Sequence, residues 1–147
     1  MTDVYTIGFT KKPAEKFFSL LIDSGAGRVV DVRINNVSQL AGFAKKDDLA
    51  YFLDAICGME YVHAPELAPT QEMVAAYRKD RKTWPEFRAK FLELMEQRQV
   101  EKTTPRELIE GSCLLCSEDE PDGCHRLLVA EYLNEKWGGD LTIHHLR

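Results

Sequence analysis

The chain places a thiol, an imidazole and a guanidinium side by side at Cys124, His125 and Arg126. An apolar run over 113–116 predicts a buried strand before them, and the residues from 124 to about 137 predict a helix. The three side chains would therefore lie in the first turn of a helix that follows the carboxyl end of a strand. Free N–H groups and the positive end of the helix dipole attract anions there and lower the pKa of a thiol.

Cys124 has more than one interpretation. A thiolate beside an imidazole and a guanidinium is a plausible nucleophile, but a cysteine can also be an inert packing residue or hold a neighbour in position. A metal or redox pair with Cys116 is disfavoured, because seven residues separate the two cysteines. Paired metal ligands usually stand about two to four residues apart and redox pairs about two apart. No metal and no other cofactor is predicted, and the role of the thiol stays open.

Glu118 and His125 are the predicted proton carriers of this region. Glu118 follows the strand, where a carboxylate can act as a general base, hold a histidine or an arginine, or cap local N–H groups. The next acidic residues, Asp119, Glu120 and Asp122, are typical of a solvated turn.

Asp31 and Arg33 end a run that is otherwise nearly all valine. They stand two residues apart in a predicted strand, so they share one face. A structural ion pair at the strand end explains them. The alternative is a guanidinium fork for a carboxylate or a phosphate, oriented by the aspartate. We favour the second interpretation slightly, because charges at the end of a valine strand require a reason.

The elements that position these residues alternate along the chain. Short β-rich runs begin near residues 4, 28, 60, 113 and 141, and segments with apolar residues at helical spacing separate most of them. A capping box at Thr83 and Glu86 predicts the start of one helix. The alternation predicts an α/β fold: a single domain over residues 1–147, a three-layer sandwich with a mostly parallel sheet of about five strands, Rossmann- or flavodoxin-like.

In open parallel sheets the ligand crevice lies outside the carboxyl ends of the strands. Most of the unusual polar residues follow such ends, so we expect one shared site there. The predicted catalytic residues are Asp31, Glu118, Cys124 and His125. The predicted substrate-binding residues are Gly8, Thr10, Arg33, Ser38, His63 and Arg126.

Composition excludes several classes of function. The net charge of −5 argues against a broad surface for binding duplex nucleic acid, although it allows a local basic pocket. The sequence has no apolar run long enough to span a membrane, and a strand pattern begins at once instead of a signal peptide. We therefore expect a cytoplasmic protein without a membrane partner, in which the four cysteines are thiols.

The order of these motifs resembles the DUF488 family of small bacterial and archaeal proteins. The resemblance rests on the following residues: Ile7-Gly8, Asp31-Val32-Arg33, Ser38, Gly42-Phe43, Tyr61, His63, Glu66-Leu67, Leu115-Cys116-Ser117-Glu118 and Cys124-His125-Arg126. It covers essentially the whole chain. The chain departs from many relatives after Glu66-Leu67, where it has Ala68-Pro69-Thr70 in place of a glycine-rich segment. The resemblance implies which residues form the site, but it implies no reaction.

The sequence thus predicts an enzyme, a hydrolase or transferase, acting on a small anionic and phosphate-bearing substrate such as a nucleotide or a nucleic-acid end. The two arginines would hold the anion, helped by N–H groups at the helix start and after the first strand. One alternative is a module that binds the same ligand without chemistry. Another is a sensor based on thiols or a metal.

Overall fold

The computed structural model describes residues 2–35, 42–118 and 123–147, and its centre is a parallel sheet. The five strands are β1 (Thr2–Gly8), β2 (Arg28–Asp31), β3 (Glu60–His63), β4 (Ser112–Cys116) and β5 (Leu141–Leu146). All neighbouring pairs are parallel, in the order β3-β2-β4-β1-β5. The helices are α1 (Ala14–Ser24), α2 (Lys46–Phe52), α3 (Gln71–Lys79), α4 (Trp84–Arg98), α5 (Val100–Thr103), α6 (Arg106–Ile109) and α7 (His125–Lys136).

The predicted α/β architecture with a parallel sheet is confirmed. The strand β4 lies between β2 and β1. This order therefore differs in detail from the Rossmann and flavodoxin orders, in which β1 pairs directly with β2. Because β4 is central, its carboxyl end lies beside the ends of both β1 and β2, and residues from three strands meet there.

Two hydrophobic cores cover the two faces of the sheet, which makes three layers. Within β4, Leu114 and Cys116 face the core formed with α4 and α7. Cys113 and Leu115 face the other core, formed with α1 and α2. Every residue of β4 is buried, as expected for a central parallel strand. The alternation places Cys116, but not Cys113, on the same side of the sheet as the start of α7.

Two local predictions differ from the structure. The strand β2 ends at Asp31, so Arg33 lies beyond it, although the Val32 N–H still bonds to the carbonyl of Leu115. The predicted capping box does not form, because Thr83 already belongs to a short 3₁₀ turn. Its hydroxyl therefore donates to the carbonyl of Asp80 at 2.6 Å.

In the described part of the chain, no helix combines the length and the apolar character that crossing a membrane requires.

Candidate functional site

A cleft opens at the carboxyl edge of the sheet, between the end of β2, the loop after β4, the helix α3 and the start of α7. Its cavity volume is about 80 Å³, and it opens to solvent at its mouth. Its described lining residues are Arg33, Ile34, Asn35, Pro69, Gln71, Val74, Tyr77, Arg78, Arg81, Phe87, Cys116, Ser117, Glu118, Gly123, Cys124 and His125.

Arg33 lies in the cleft wall with a side chain that is only 3% exposed. Its Nε and Nη2 donate to the two carboxylate oxygens of Asp31 at 2.8 Å each, and Nη2 also donates to the carbonyl of Ala44 at 2.8 Å. Its guanidinium lies 5.3 Å from the ring centre of Phe9. Nη1 is buried and has no hydrogen-bond partner among the described residues. The guanidinium is thus fixed, with one donor not satisfied.

Asp31 orients Arg33 and is fully buried. Besides the guanidinium it accepts the N–H of Arg33 at 3.1 Å and the hydroxyl of Tyr61 at 2.5 Å. Burial works to lower the pKa of Arg33, but the hydrogen bonds to Asp31 and the charge of Asp31 raise it above its usual value. The guanidinium therefore stays charged despite burial. The two oxygens of Asp31 are occupied by these donors, which fits an orienting role better than the catalytic role assigned from sequence.

His63 supports the same segment from β3. A nitrogen of its ring, Nε2, lies 2.8 Å from the carbonyl oxygen of Arg33. His63 is not among the residues that line the described cleft. It therefore holds the backbone that carries the guanidinium, whereas the sequence assigned it to the substrate.

Cys116, Cys124 and His125 form a buried cluster at the inner wall of the cleft. Their two sulfurs and one imidazole nitrogen all lie within 4.8 Å of one another. The Nδ1 of His125 is 3.3 Å from the sulfur of Cys116, and Nε2 is 2.6 Å from the carbonyl oxygen of Val32. Since a carbonyl only accepts, Nε2 carries a proton and Nδ1 faces the thiols.

The two thiols of this cluster differ in acidity. Burial works to raise the pKa of Cys124, but hydrogen bonds from Cys116 and His125 and the charges of His125 and Arg126 hold it well below its ordinary value. Burial, together with the hydrogen bond to Cys124 and the charge of Cys124, raises the pKa of Cys116. The environment thus favours the thiolate at Cys124 over the thiolate at Cys116. Burial also raises the pKa of Cys113 on the opposite face.

Arg126 lies beneath the site instead of in the cleft. Its side chain is fully buried, Nε donates to the hydroxyl of Thr6 at 3.3 Å, and Nη1 donates to the backbone carbonyl of Glu118. It fixes the loop after β4 from below. The sequence placed Arg126 beside Arg33 on the substrate, and the described lining of the cleft does not include it.

Gly8 and Thr10 hold the same loop against the end of β1. The N–H and the hydroxyl of Thr10 both donate to the carbonyl of Ser117, at 3.1 and 2.6 Å. A Cβ added at Gly8 would stand 1.5 Å from the carbonyl oxygen of Glu118 and 2.7 Å from Nη1 of Arg126. The glycine is thus required by a close backbone approach, and the anion-binding donors predicted at Thr10 are used inside the protein.

Among the described residues at the mouth of the cleft, arginines outnumber carboxylates. Arg78 and Arg81 reach the mouth from α3 and the turn that follows, and Arg81 pairs with the carboxylate of Glu118 at 2.9 Å. The guanidinium of Arg81 also lies 4.6 Å from the ring centre of Tyr77. Sequence analysis missed these two arginines. Arg78 and Arg81 belong to no recognisable sequence motif. They reach the cleft because α3 packs across the carboxyl edge of the sheet, which the sequence does not reveal.

The structure thus brings four of the predicted residues to one cleft, namely Arg33, Glu118, Cys124 and His125. Five others support this wall from outside it: Gly8, Thr10, Asp31, His63 and Arg126. Ser38 lies outside the described residues.

A family model described as Domain of unknown function DUF488 matches residues 13–133. The chain belongs to the DUF488 family. No curated protein and no solved structure matches it. The DUF488 match includes Asp31, Arg33 and the Cys-His-Arg turn, whereas Gly8 and Thr10 precede it.

The chemistry available to this DUF488 site follows from its three parts. A fixed guanidinium with an unsatisfied donor is a suitable partner for an oxyanion. Two adjacent thiols with one imidazole supply a nucleophile or ligands for a soft metal ion. Glu118 adds a carboxylate at the rim, with a side chain that is 38% exposed.

Proposed function

We propose that the protein is an enzyme that acts on a small anionic, phosphate-bearing substrate, such as a nucleotide or a nucleic-acid end. Two observations carry the proposal: Arg33 lines the cleft, and its buried Nη1 has no hydrogen-bond partner among the described residues. Leaving a buried donor without a partner costs about 1–3 kcal/mol. An oxygen of the substrate that accepts from Nη1 removes this cost. Because Asp31 already fixes the guanidinium, binding costs little further side-chain entropy.

The charge of the cleft favours a phosphate over a neutral ligand. Arg78 and Arg81 add two positive charges near the mouth, and Glu118 is the only carboxylate among the described lining residues. A phosphate monoester carries about −1.5 to −2 charges at neutral pH and presents three acceptor oxygens. It therefore matches several arginines better than a monocarboxylate does.

The remaining wall suits the body of such a substrate. Val74, Tyr77, Phe87 and Pro69 present apolar and aromatic surface beside the arginines. Small-molecule sites generally combine an apolar lining with a few polar groups that fix orientation. A nucleotide has both parts, a flat base and a charged phosphate.

The reactive group of the proposed enzyme is the cluster of Cys116, Cys124 and His125, which borders the same cleft. In this arrangement Arg33 and Arg81 orient the phosphate, and Cys124 contacts it as nucleophile or ligand. Glu118 at the rim carries protons to and from solvent. The reaction class is a hydrolase or a transferase.

A binding module without turnover is the second candidate, because the free donor of Arg33 supports binding with or without chemistry. The two are separated by measuring turnover on every ligand that binds.

The proposal is tested with a thermal-shift panel of inorganic phosphate, nucleoside monophosphates, sugar phosphates and simple carboxylates. We expect phosphate-bearing ligands to raise the melting temperature of the wild type. Arg33→Lys should keep the fold and lose most of this shift, because lysine cannot reproduce a planar fork. Product analysis on the best ligand then reports turnover.

Arg28→Lys is the matched control. Arg28 also forms an ion pair with a carboxylate, since its Nε lies 3.0 Å from an oxygen of Glu60. Arg28 lies at the amino end of β2, away from the cleft. We expect Arg28→Lys to bind phosphate ligands like the wild type. Equal ligand shifts in Arg33→Lys and the wild type would overturn the proposal, as would a panel in which no phosphate-bearing compound binds. If Arg33→Lys mainly unfolds the protein, Arg33 is a structural partner of Asp31.

A further inference from the structure

We propose that Cys116, Cys124 and His125 form a binding site for one Zn²⁺ ion, with a fourth coordination position that opens into the cleft. The three residues offer two sulfurs and one nitrogen, which lie within 4.8 Å of one another, and all three are buried. Cysteine and histidine are the preferred ligands of zinc. Ligation itself does not rest on the proposed function; only the use of the fourth position does.

The distances suit tetrahedral coordination. Zinc–sulfur bonds of about 2.3 Å and zinc–nitrogen bonds of about 2.0–2.1 Å imply ligand separations of roughly 3.5–3.8 Å around a tetrahedron. The sulfur of Cys116 and the Nδ1 of His125 are 3.3 Å apart, and no pair in the cluster exceeds 4.8 Å. Shifts of about 1 Å or less, which side-chain rotation supplies, therefore bring the three atoms to bonding positions.

His125 already has the orientation of a metal ligand. Its Nε2–H donates to the carbonyl of Val32 at 2.6 Å, and its Nδ1 faces the thiols. Metal binding displaces any proton that Nδ1 shares with the thiols, and the lone pair then points at the ion. A histidine that binds a metal usually donates its other N–H to such an acceptor, which fixes the tautomer and the plane of the ring. The ring of Phe91, 5.5 Å away between ring centres, packs against it.

The charge balance permits the ion. One Zn²⁺ with two thiolates has the same net charge as two neutral thiols, so binding exchanges the ion for protons. The site therefore accepts a divalent ion without an additional carboxylate.

The fourth position separates this site from a closed structural zinc site. Structural sites have four protein ligands, whereas catalytic sites have three and keep one position for water or substrate. The three ligands line the cleft together with Arg33. An oxygen of an anion held by Arg33 is then placed to occupy the fourth position, and the thiolates act as ligands instead of nucleophiles.

The test uses the full-length, reduced protein, freed of metal with a chelator and titrated with Co²⁺. We expect one equivalent to bind, with intense tetrahedral d–d bands and thiolate-to-cobalt charge-transfer bands, and with release of protons. Zn²⁺ should displace Co²⁺. Inorganic phosphate should shift the d–d bands of the wild type and shift them less in Arg33→Lys.

Cys116→Ser and Cys124→Ser should each lower metal affinity by more than the roughly 10–100-fold that loss of an outer partner causes. Cys113→Ala and Cys57→Ala are the controls and should each still bind one equivalent of metal, because neither sulfur belongs to the cluster.

If a ligand variant does not fold, the spectrum of the wild-type protein still decides whether the site exists. No binding, or a Co²⁺ spectrum without thiolate bands, overturns the site. If the metal binds normally but phosphate does not change the spectrum, only the open fourth coordination position is overturned. Metal binding with no ligand shift in the panel would instead count against the proposed function.

Discussion

Arg33 and Asp31 meet through two parallel hydrogen bonds of 2.8 Å, from Nε to Oδ1 and from Nη2 to Oδ2. This geometry uses one edge of the guanidinium, and the second N–H of Nη2 donates to the carbonyl of Ala44. Nη1 is the one nitrogen of the group without a partner among the described residues. The aspartate thus fixes the guanidinium and determines where this donor lies. The structural ion pair expected from the sequence is present, and anion binding by Arg33 stays a prediction.

Asp31→Asn should lower the free energy of unfolding by about 3–5 kcal/mol, because it leaves a buried guanidinium without its counter-ion. Urea denaturation measures the change. Glu60→Gln is the control, since it removes the carboxylate of the more exposed Arg28–Glu60 pair and should cost less than about 1 kcal/mol. Similar losses in the two variants would show that the buried pair does not stabilise the fold.

Gly8→Ala should destabilise the protein by at least about 1–3 kcal/mol, the usual cost of overpacking. The new methyl group would overlap the carbonyl oxygen of Glu118, so the loop after β4 must move. Gly27→Ala is the control, because a Cβ there meets no atom within 4 Å. Thermal unfolding compares the two. A stable Gly8→Ala protein with normal ligand binding would contradict the close approach.

Cys124 should be alkylated well before Cys113 at a mildly acidic pH of about 6.5 in metal-free protein. The pKa of Cys124 is lowered, so its thiolate persists below the ordinary thiol pKa of about 8.5 and is lost only as the pH falls through the lowered value. The pKa of Cys113 is raised, so its reaction requires alkaline pH. Timed alkylation with peptide mass spectrometry measures both rates.

Phosphate and Zn²⁺ should each slow the labelling of Cys124, phosphate by occupying the neighbouring anion site and Zn²⁺ by binding the sulfur. Cys57, which is half-buried and outside the cleft, provides the reference rate. Labelling of Cys124 no faster than Cys113, and unaffected by anions, would leave it as a packing residue.

Arg81→Gln and Glu118→Gln should change phosphate affinity in opposite directions. The first removes a positive charge from the mouth of the cleft and should weaken binding, whereas the second removes the opposing carboxylate and should strengthen it. Each should alter stability by less than about 1 kcal/mol, because the pair is partly exposed. Calorimetric titration with phosphate at low and moderate salt checks both. If both variants change phosphate affinity in the same direction, the Arg81–Glu118 pair affects binding through the folded structure and not through its charges.

The sequence predicted the sheet and much of the cleft. The strands, α1, α4 and α7 follow from local periodicity, and parallel strands bring their carboxyl ends to one edge. This rule placed Arg33, Glu118, Cys124 and His125 together without any knowledge of contacts. It does not distinguish residues in the wall from residues behind it, so it also assigned Arg126 and Thr10 to the substrate.

Only the tertiary structure decided which atoms are free. Whether Arg33 retains a donor depends on Asp31 and Ala44, and whether Arg126 reaches the cleft depends on the loop carbonyl above it. The spacing of Cys116 and Cys124 disfavoured a shared metal ion, because spacing rules assume ligands on one local turn. Here one sulfur ends a strand and the other precedes a helix, and the fold closes the distance between them. Sequence fixes the chemistry of each side chain, but hydrogen-bond satisfaction and ligand geometry are set by non-local packing.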